Sequence, residues 1–157
     1  MTRLTPRCEP VRGDLPLSSI VSTEWLARRL GDARVCPVDA SWYLPSAGRD
    51  AAAEYLAGHI PGAVRFDLDV ASDPSSPLPH MLPGAEAFGA YVGEIGLGDT
   101  DAIVVYDGSG VNLSAARAWW MFRAFGHRRT AVLDGGMVKW RAERRPLDGG
   151  AFSLPPA

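Results

Sequence analysis

The apolar positions of this chain follow two alternating rhythms. Short continuous runs at 35–39, 64–66, 103–106 and 131–133, rich in Val, have the length and composition of buried strands. Between them apolar residues recur at helical spacing. Ser22 caps a predicted helix running to about Leu30, with Trp25, Leu26 and Leu30 on one face, and Asp50 caps a short helix over 51–57. A helix over 85–95 stops at Gly96 and Gly98, and further helices are expected over 114–125 and 137–142. Residues 41–50 and 69–83, punctuated by Pro, Gly, Ser and Asp, read as loops. Strands alternating with helices at this spacing predict an α/β fold, a single domain over 21–148 with a central, mainly parallel sheet flanked by helices. Residues 1–20 contain prolines without periodicity and are expected to form a flexible tail, and 149–157 a linker. Ligands of such sheets bind beyond the carboxyl ends of strands, where Asp39, Asp107 and Asp134 fall.

Size and charge narrow the function classes. A chain of 157 residues supports one sizeable core. Its net charge of −2, with no basic face or block, argues against a nucleic acid or an anionic membrane as partner. No stretch approaches the roughly 20 apolar residues of a membrane span. The first twenty residues carry Arg3, Arg7 and Arg12 but no apolar core of a secretory signal, so a cytoplasmic location is expected. Two cysteines, Cys8 and Cys36, make neither a disulfide framework nor a metal cluster. Cys36, inside a predicted strand, reads as a small core hydrophobe, and Cys8 falls in the tail. No metal and no cofactor is expected. Lys139 is the one lysine against fifteen arginines, and alanine is abundant, as in the coding bias of a G+C-rich, bacterial-like genome.

The stretch with most chemical content is 102–114. Ala-Ile-Val-Val-Tyr-Asp107 is a strand ending in a carboxylate, Gly108-Ser109-Gly110-Val111-Asn112-Leu113 is a glycine loop, and Ser114 opens a helix. Strand, glycine loop and helix present one side chain and a set of backbone N–H groups to an anion. An aspartate after an apolar strand is also a phosphatase nucleophile in some folds, but a second Asp is then needed where Ser109 stands. Gly108-x-Gly110 hints at a dinucleotide site, but Leu113 holds the place of the third glycine.

Two further motifs complete the pattern: Tyr55-Leu-Ala-Gly-His59-Ile-Pro-Gly-Ala63 and Val132-Leu-Asp-Gly-Gly-Met-Val-Lys-Trp140. With the glycine loop they resemble the rhodanese family of sulfurtransferases. Both motifs are structural in character: Pro61 fixes φ, Gly62 frees the backbone, His59 bonds loop carbonyls, and Gly135-Gly136 turns strand into helix. Asp39-Ala-Ser-Trp-Tyr-Leu-Pro45, Gly48-Arg49-Asp50, Pro79-His80-Met-Leu-Pro-Gly84 and Ala118-Trp-Trp-Met-Phe-Arg123 narrow the resemblance. They are similar to the amino-terminal, non-catalytic domain of two-domain mercaptopyruvate and thiosulfate sulfurtransferases.

The resemblance implies that Asp107 stands where the catalytic domain has its nucleophilic Cys, making 107–110 an inactive catalytic loop and this chain inactive by itself. It implies that Asp69 and His80 are auxiliary catalytic residues forming a triad with a Ser on the cysteine loop of a second rhodanese domain. Spacing alone favours a loop-capping Asp69 and a merely exposed His80. Arg49 and Arg117 are candidates for contacts in the loop or cleft, Arg117 with Asp107 or with a partner domain. The expected partners are that second domain or another copy of the chain, with a small sulfur donor in the complete enzyme. A stand-alone rhodanese module that binds another protein is the alternative.

Overall fold

The computed structural model describes residues 17–150. Its sheet has five strands, β1 (Ile20–Val21), β2 (Val35–Asp39), β3 (Val64–Arg65), β4 (Ala102–Tyr106) and β5 (Thr130–Leu133). They lie in the order β1-β5-β4-β2-β3, and every neighbouring pair is parallel. The helices are α1 (Thr23–Ala27), α2 (Ala51–Ala57), α3 (Ala85–Glu94), α4 (Leu113–Ala124) and α5 (Gly136–Ala142). The α/β reading of the sequence therefore stands.

β4 lies at the centre and all five of its residues are buried. Its side chains alternate between two cores, as a strand's period of two requires. Ile103 and Val105 join Phe66, Phe88, Met121 and Phe122 under α3 and α4. Ala102, Val104 and Tyr106 join Leu26, Tyr55, Ile60, Met137 and Trp140 under α1, α2 and α5. The chain runs from β2 outward to β3 and then crosses back to β4 on the other side of β2. That reversal leaves a crevice at the carboxyl ends of β2 and β4, the place where open α/β sheets bind ligands.

Two elements differ from the sequence reading. The first helix ends at Ala27 rather than near Leu30; Ser22 Oγ caps it from Trp25 N at 3.0 Å, and Gly31 turns the chain with φ +89°. Leu30 still packs on the core, but from a turn. β1 was not expected at all. Ile20, inside the stretch assigned to the tail, pairs with Val132, and Val132 N donates to Ser19 O at 2.8 Å. Residues 1–16, with Cys8, and 151–157 lie outside the described residues. Among the described residues no helix is long and apolar enough to cross a membrane.

The two motif segments are built into this frame. His59 is buried, stacks on Tyr55 at 4.1 Å and donates from Nδ1 to Tyr55 O at 2.8 Å. Tyr55 in turn donates to Ala63 O at 2.6 Å. Gly136 has φ +54°, and a Cβ there would sit 2.8 Å from Asp107 O. The Gly-Gly turn thus lets α5 start directly against the end of β4, with Met137 N donating to Asp107 O at 3.0 Å.

Candidate functional site

Asp107 is fully buried, and its carboxylate is spent inside the loop. Oδ1 accepts from Ser109 N at 2.9 Å and Ser109 Oγ at 2.6 Å; Oδ2 accepts from Ala115 N at 2.8 Å and Ser114 Oγ at 3.2 Å. Ala115 N is one of the free donors of the first turn of α4, so Asp107 caps that helix from the strand. Asn112, at the cap position itself, is left-handed and gives no side-chain cap. Neighbouring amides are engaged too: Gly108 N donates to Ser41 Oγ at 3.0 Å and Val111 N to Ser109 Oγ at 3.2 Å. Four N–H groups of the loop and helix start, those of Gly108, Ser109, Val111 and Ala115, are thus filled by the chain's own oxygens.

A second constellation lies on the loops after β2 and β3. His80 Nε2 and Asp69 Oδ1 are 2.7 Å apart. A carboxylate oxygen only accepts when ionised, so the proton sits on Nε2 and the neutral ring offers Nδ1 as a base. The pair faces solvent: the Asp69 side chain is 67% exposed and that of His80 22%. Trp42 Nε1 donates to Asp69 Oδ2 at 3.2 Å, and the Trp42 ring meets His80 edge to face at 4.6 Å. His80 adopts φ +54°, a conformation disfavoured for a residue with a Cβ. Its carbonyl is held by Arg117 Nη2, whose guanidinium also lies over the Trp120 ring at 4.8 Å. Arg117 therefore contacts the His80 loop and does not pair with Asp107.

Arg49 sits at the crevice. It forks onto Glu54 at 2.8 and 3.0 Å, donates to Gly108 O at 3.2 Å and stacks on Tyr43 at 3.9 Å. With Asp39, Ser41, Met137, Val138 and Arg141 these residues line a cavity of about 300 Å³ beside the glycine loop at Gly108. Burial raises the Asp39 carboxyl above the usual range, against a hydrogen bond from Ser41 N at 2.9 Å. Burial pushes the Tyr43 hydroxyl up to about 12. Cys36 packs against the core under α3 and α4, and burial together with Asp101 pushes its thiol up to about 12, which keeps it protonated and a poor nucleophile. Among the described residues no group of three or more His, Cys, Asp and Glu could hold a metal ion. Tyr43, Glu54 and Arg141 were not anticipated from sequence, and neither was the engagement of Trp42. Trp42 and Tyr43 fall within a motif that carried the resemblance, which was the available signal.

The family model for the rhodanese-like domain matches residues 22–143. The chain belongs to the rhodanese family. This rhodanese domain is 48% identical to human 3-mercaptopyruvate sulfurtransferase over 144 residues, 88% of this chain and 48% of that protein. It is 48% identical to the mitochondrial thiosulfate/3-mercaptopyruvate sulfurtransferase 1 of Arabidopsis thaliana over 84% of this chain and 35% of that one. The crystal structure of SseA from Escherichia coli, among the 3-mercaptopyruvate sulfotransferases with the rhodanese fold, matches with a TM-score of 0.82 and 42% identity over 88% of this chain and 53% of that one. The rhodanese domain thus spans about half the length of the curated relatives it matches, and those relatives come from human and plant as well as bacterial sources.

Proposed function

We propose that this domain is the amino-terminal, non-catalytic half of a 3-mercaptopyruvate or thiosulfate sulfurtransferase, and that it serves the reaction by presenting Asp69 and His80 to a cysteine-bearing rhodanese domain. The observation that carries this reading is the contrast between the two carboxylates. Asp107, at the nucleophile's place, is buried and saturated by four donors. Asp69 is exposed and orients a histidine whose Nδ1 has no partner among the described residues. In the complete enzyme a thiolate on the second domain attacks the transferable sulfur of the donor, forming the S–S bond of a persulfide as the donor's own bond to that sulfur breaks and sulfite (from thiosulfate) or the enolate of pyruvate (from mercaptopyruvate) leaves; the persulfide then passes its outer sulfur to an acceptor. His80 Nδ1 takes the proton of a hydroxyl on the facing loop, with Asp69 holding the imidazole in the right tautomer.

Side chains around the pair suit a docked surface. Leu78 and Met81, on the loop that carries His80, and Leu113 and Trp120, on the helix that carries Arg117, are exposed, as is Val111 on the glycine loop before that helix. Leu82 is packed against the core and does not contribute. The chain alone is expected to form no thiocyanate from thiosulfate or mercaptopyruvate and cyanide. With a cysteine-bearing rhodanese domain added, turnover should appear and fall by about 10²–10⁴ in His80→Asn, the usual range for a lost acid–base group. Turnover by the chain alone that survives removal of both Cys8 and Cys36, or trans turnover indifferent to His80, overturns the proposal. Failure of the added domain to bind at all leaves the protein-binding module as the better account.

A further inference from the structure

Trp42 touches both members of the Asp69–His80 pair. Its indole N–H, which can only donate, bonds Asp69 Oδ2 at 3.2 Å, and its ring packs edge-on against His80 with an interplanar angle of 87°. Asp69 Oδ1 then holds His80 Nε2 at 2.7 Å, so the three side chains close a ring in which each contacts the other two. One carboxylate oxygen is committed to each partner, and the carboxylate cannot rotate without breaking both bonds.

Trp42 is itself fixed from the inactive loop. Its backbone N donates to Ser114 Oγ at 3.1 Å, and Ser114 Oγ donates to Asp107 Oδ2 at 3.2 Å. The adjacent Ser41 Oγ accepts from Gly108 N at 3.0 Å. Two consecutive residues of the loop after β2 are thus pinned, Ser41 to the glycine loop at Gly108 and Trp42 to the first turn of α4 at Ser114. The link runs without a gap from Asp107 through Ser114 and Trp42 to Asp69 and His80.

We propose that Trp42 is the positioning residue that fixes the tautomer of His80, and that the inactive loop has become its anchor through Ser114. The inference rests on the reading of Asp69 and His80 as the functional pair. It gives the loop that lost its nucleophile a continuing part in the reaction, holding a base for the other domain.

The test is the tautomer ratio of neutral His80 in the full chain, the Nε2–H form against the Nδ1–H form, from nitrogen-15 chemical shifts of the ring. The wild type should be dominated by Nε2–H. Trp42→Phe keeps an aromatic edge and removes the donor; the ratio should fall about threefold to tenfold, the worth of one net hydrogen bond. Ser114→Ala, which releases the Trp42 backbone, should shift it the same way by at least about twofold. His59 and His127 are internal controls, since one ring nitrogen of each bonds a backbone carbonyl elsewhere, His59 Nδ1 at Tyr55 O and His127 Nε2 at Asp101 O. An unchanged His80 ratio in Trp42→Phe overturns the proposal, as does a shift shared by all three histidines, which would make Trp42 a residue of the fold only. His80→Asn in turnover with an added cysteine-bearing domain separates the two readings. If that turnover is indifferent to His80 while Trp42→Phe still moves the ratio, the functional pair falls and the positioning stands; the opposite pair of results overturns the positioning alone.

Discussion

Asp107→Asn tests whether the buried carboxylate that follows β4 is structural. The substitution is isosteric and removes one charge. It cannot satisfy the same partners, because Asn offers one acceptor oxygen and one donor nitrogen where the wild type has two acceptors. With the amide oxygen in the place of Oδ1, the Ser109 bonds survive and the amide nitrogen confronts Ala115 N–H, now 2.8 Å from Oδ2. With the amide flipped, it confronts Ser109 N–H, now 2.9 Å from Oδ1. Either way one backbone amide in a fully buried site loses its acceptor. Charge-assisted bonds contribute about 1.5–3 kcal/mol each, and an orphaned donor costs about 1–3 kcal/mol, so the variant should lose about 2–4 kcal/mol. At a urea slope of about 2 kcal/mol/M, the middle of the usual range, the unfolding midpoint should drop by about 1–2 M. Equilibrium urea unfolding followed by tryptophan fluorescence reads this directly. A midpoint within about 0.3 M of the wild type would show that the four donors are satisfied some other way and that Asp107 is not the cap of α4.

Other outcomes follow from the same geometry. Asp107→Cys should lose comparable stability and still give no efficient sulfurtransferase, while its thiol titrates below the free value of about 8.5 because loop amides face the sulfur; an alkylation profile centred at or above 8.5 contradicts this. Cys36, at about 12, should alkylate about a thousandfold more slowly than a free thiol at neutral pH, which mass spectrometry of timed iodoacetamide reactions measures. Asp39→Asn keeps an acceptor for Ser41 N and removes a buried charge. Because burial raises the Asp39 carboxyl, the charge costs stability only once pH rises past the ordinary carboxylate range, so the variant's Tm gain should be absent in acid and reach a few degrees near neutrality; a Tm difference independent of pH would refute the assignment. A cysteine-bearing rhodanese domain at about 100 times its Kd should stabilise this one by about 2.7 kcal/mol, raising its Tm.

The sheet was legible because its central strands are apolar on both faces, a pattern that 35–38 and 103–106 show without interruption. Helix α2 was legible to the residue because Asp50 caps it, and Asp50 Oδ1 does accept from Ala53 N at 3.0 Å. β1 was not, since two residues carry no period and only the partner strand defines them. Leu30 misled because an apolar residue in phase with a helix can reach the same core from a turn. The site divides likewise. Asp69 and His80 lie eleven residues apart across a proline-rich loop, so no local periodicity joins them, and it was the family resemblance that singled them out. The partner of the Trp42 indole is 27 positions away in the chain, and the motif that contains this tryptophan says nothing of what its indole binds. Arg117 was a candidate partner of Asp107, but the buried aspartate is already saturated and the arginine is drawn to a free carbonyl at His80.

Both margins of the sheet are strands of two residues, Ile20–Val21 on one side and Val64–Arg65 on the other. Long exposed margins are templates on which another chain's backbone can add as a further strand, by augmentation, swapping or fibril growth. Margins this short offer almost no ladder. Two such domains can therefore be fused side by side at high local concentration without their sheets merging, and their recognition is left to side chains. Partner choice in such a pair can then change by point substitution on loops, with no alteration of strand register.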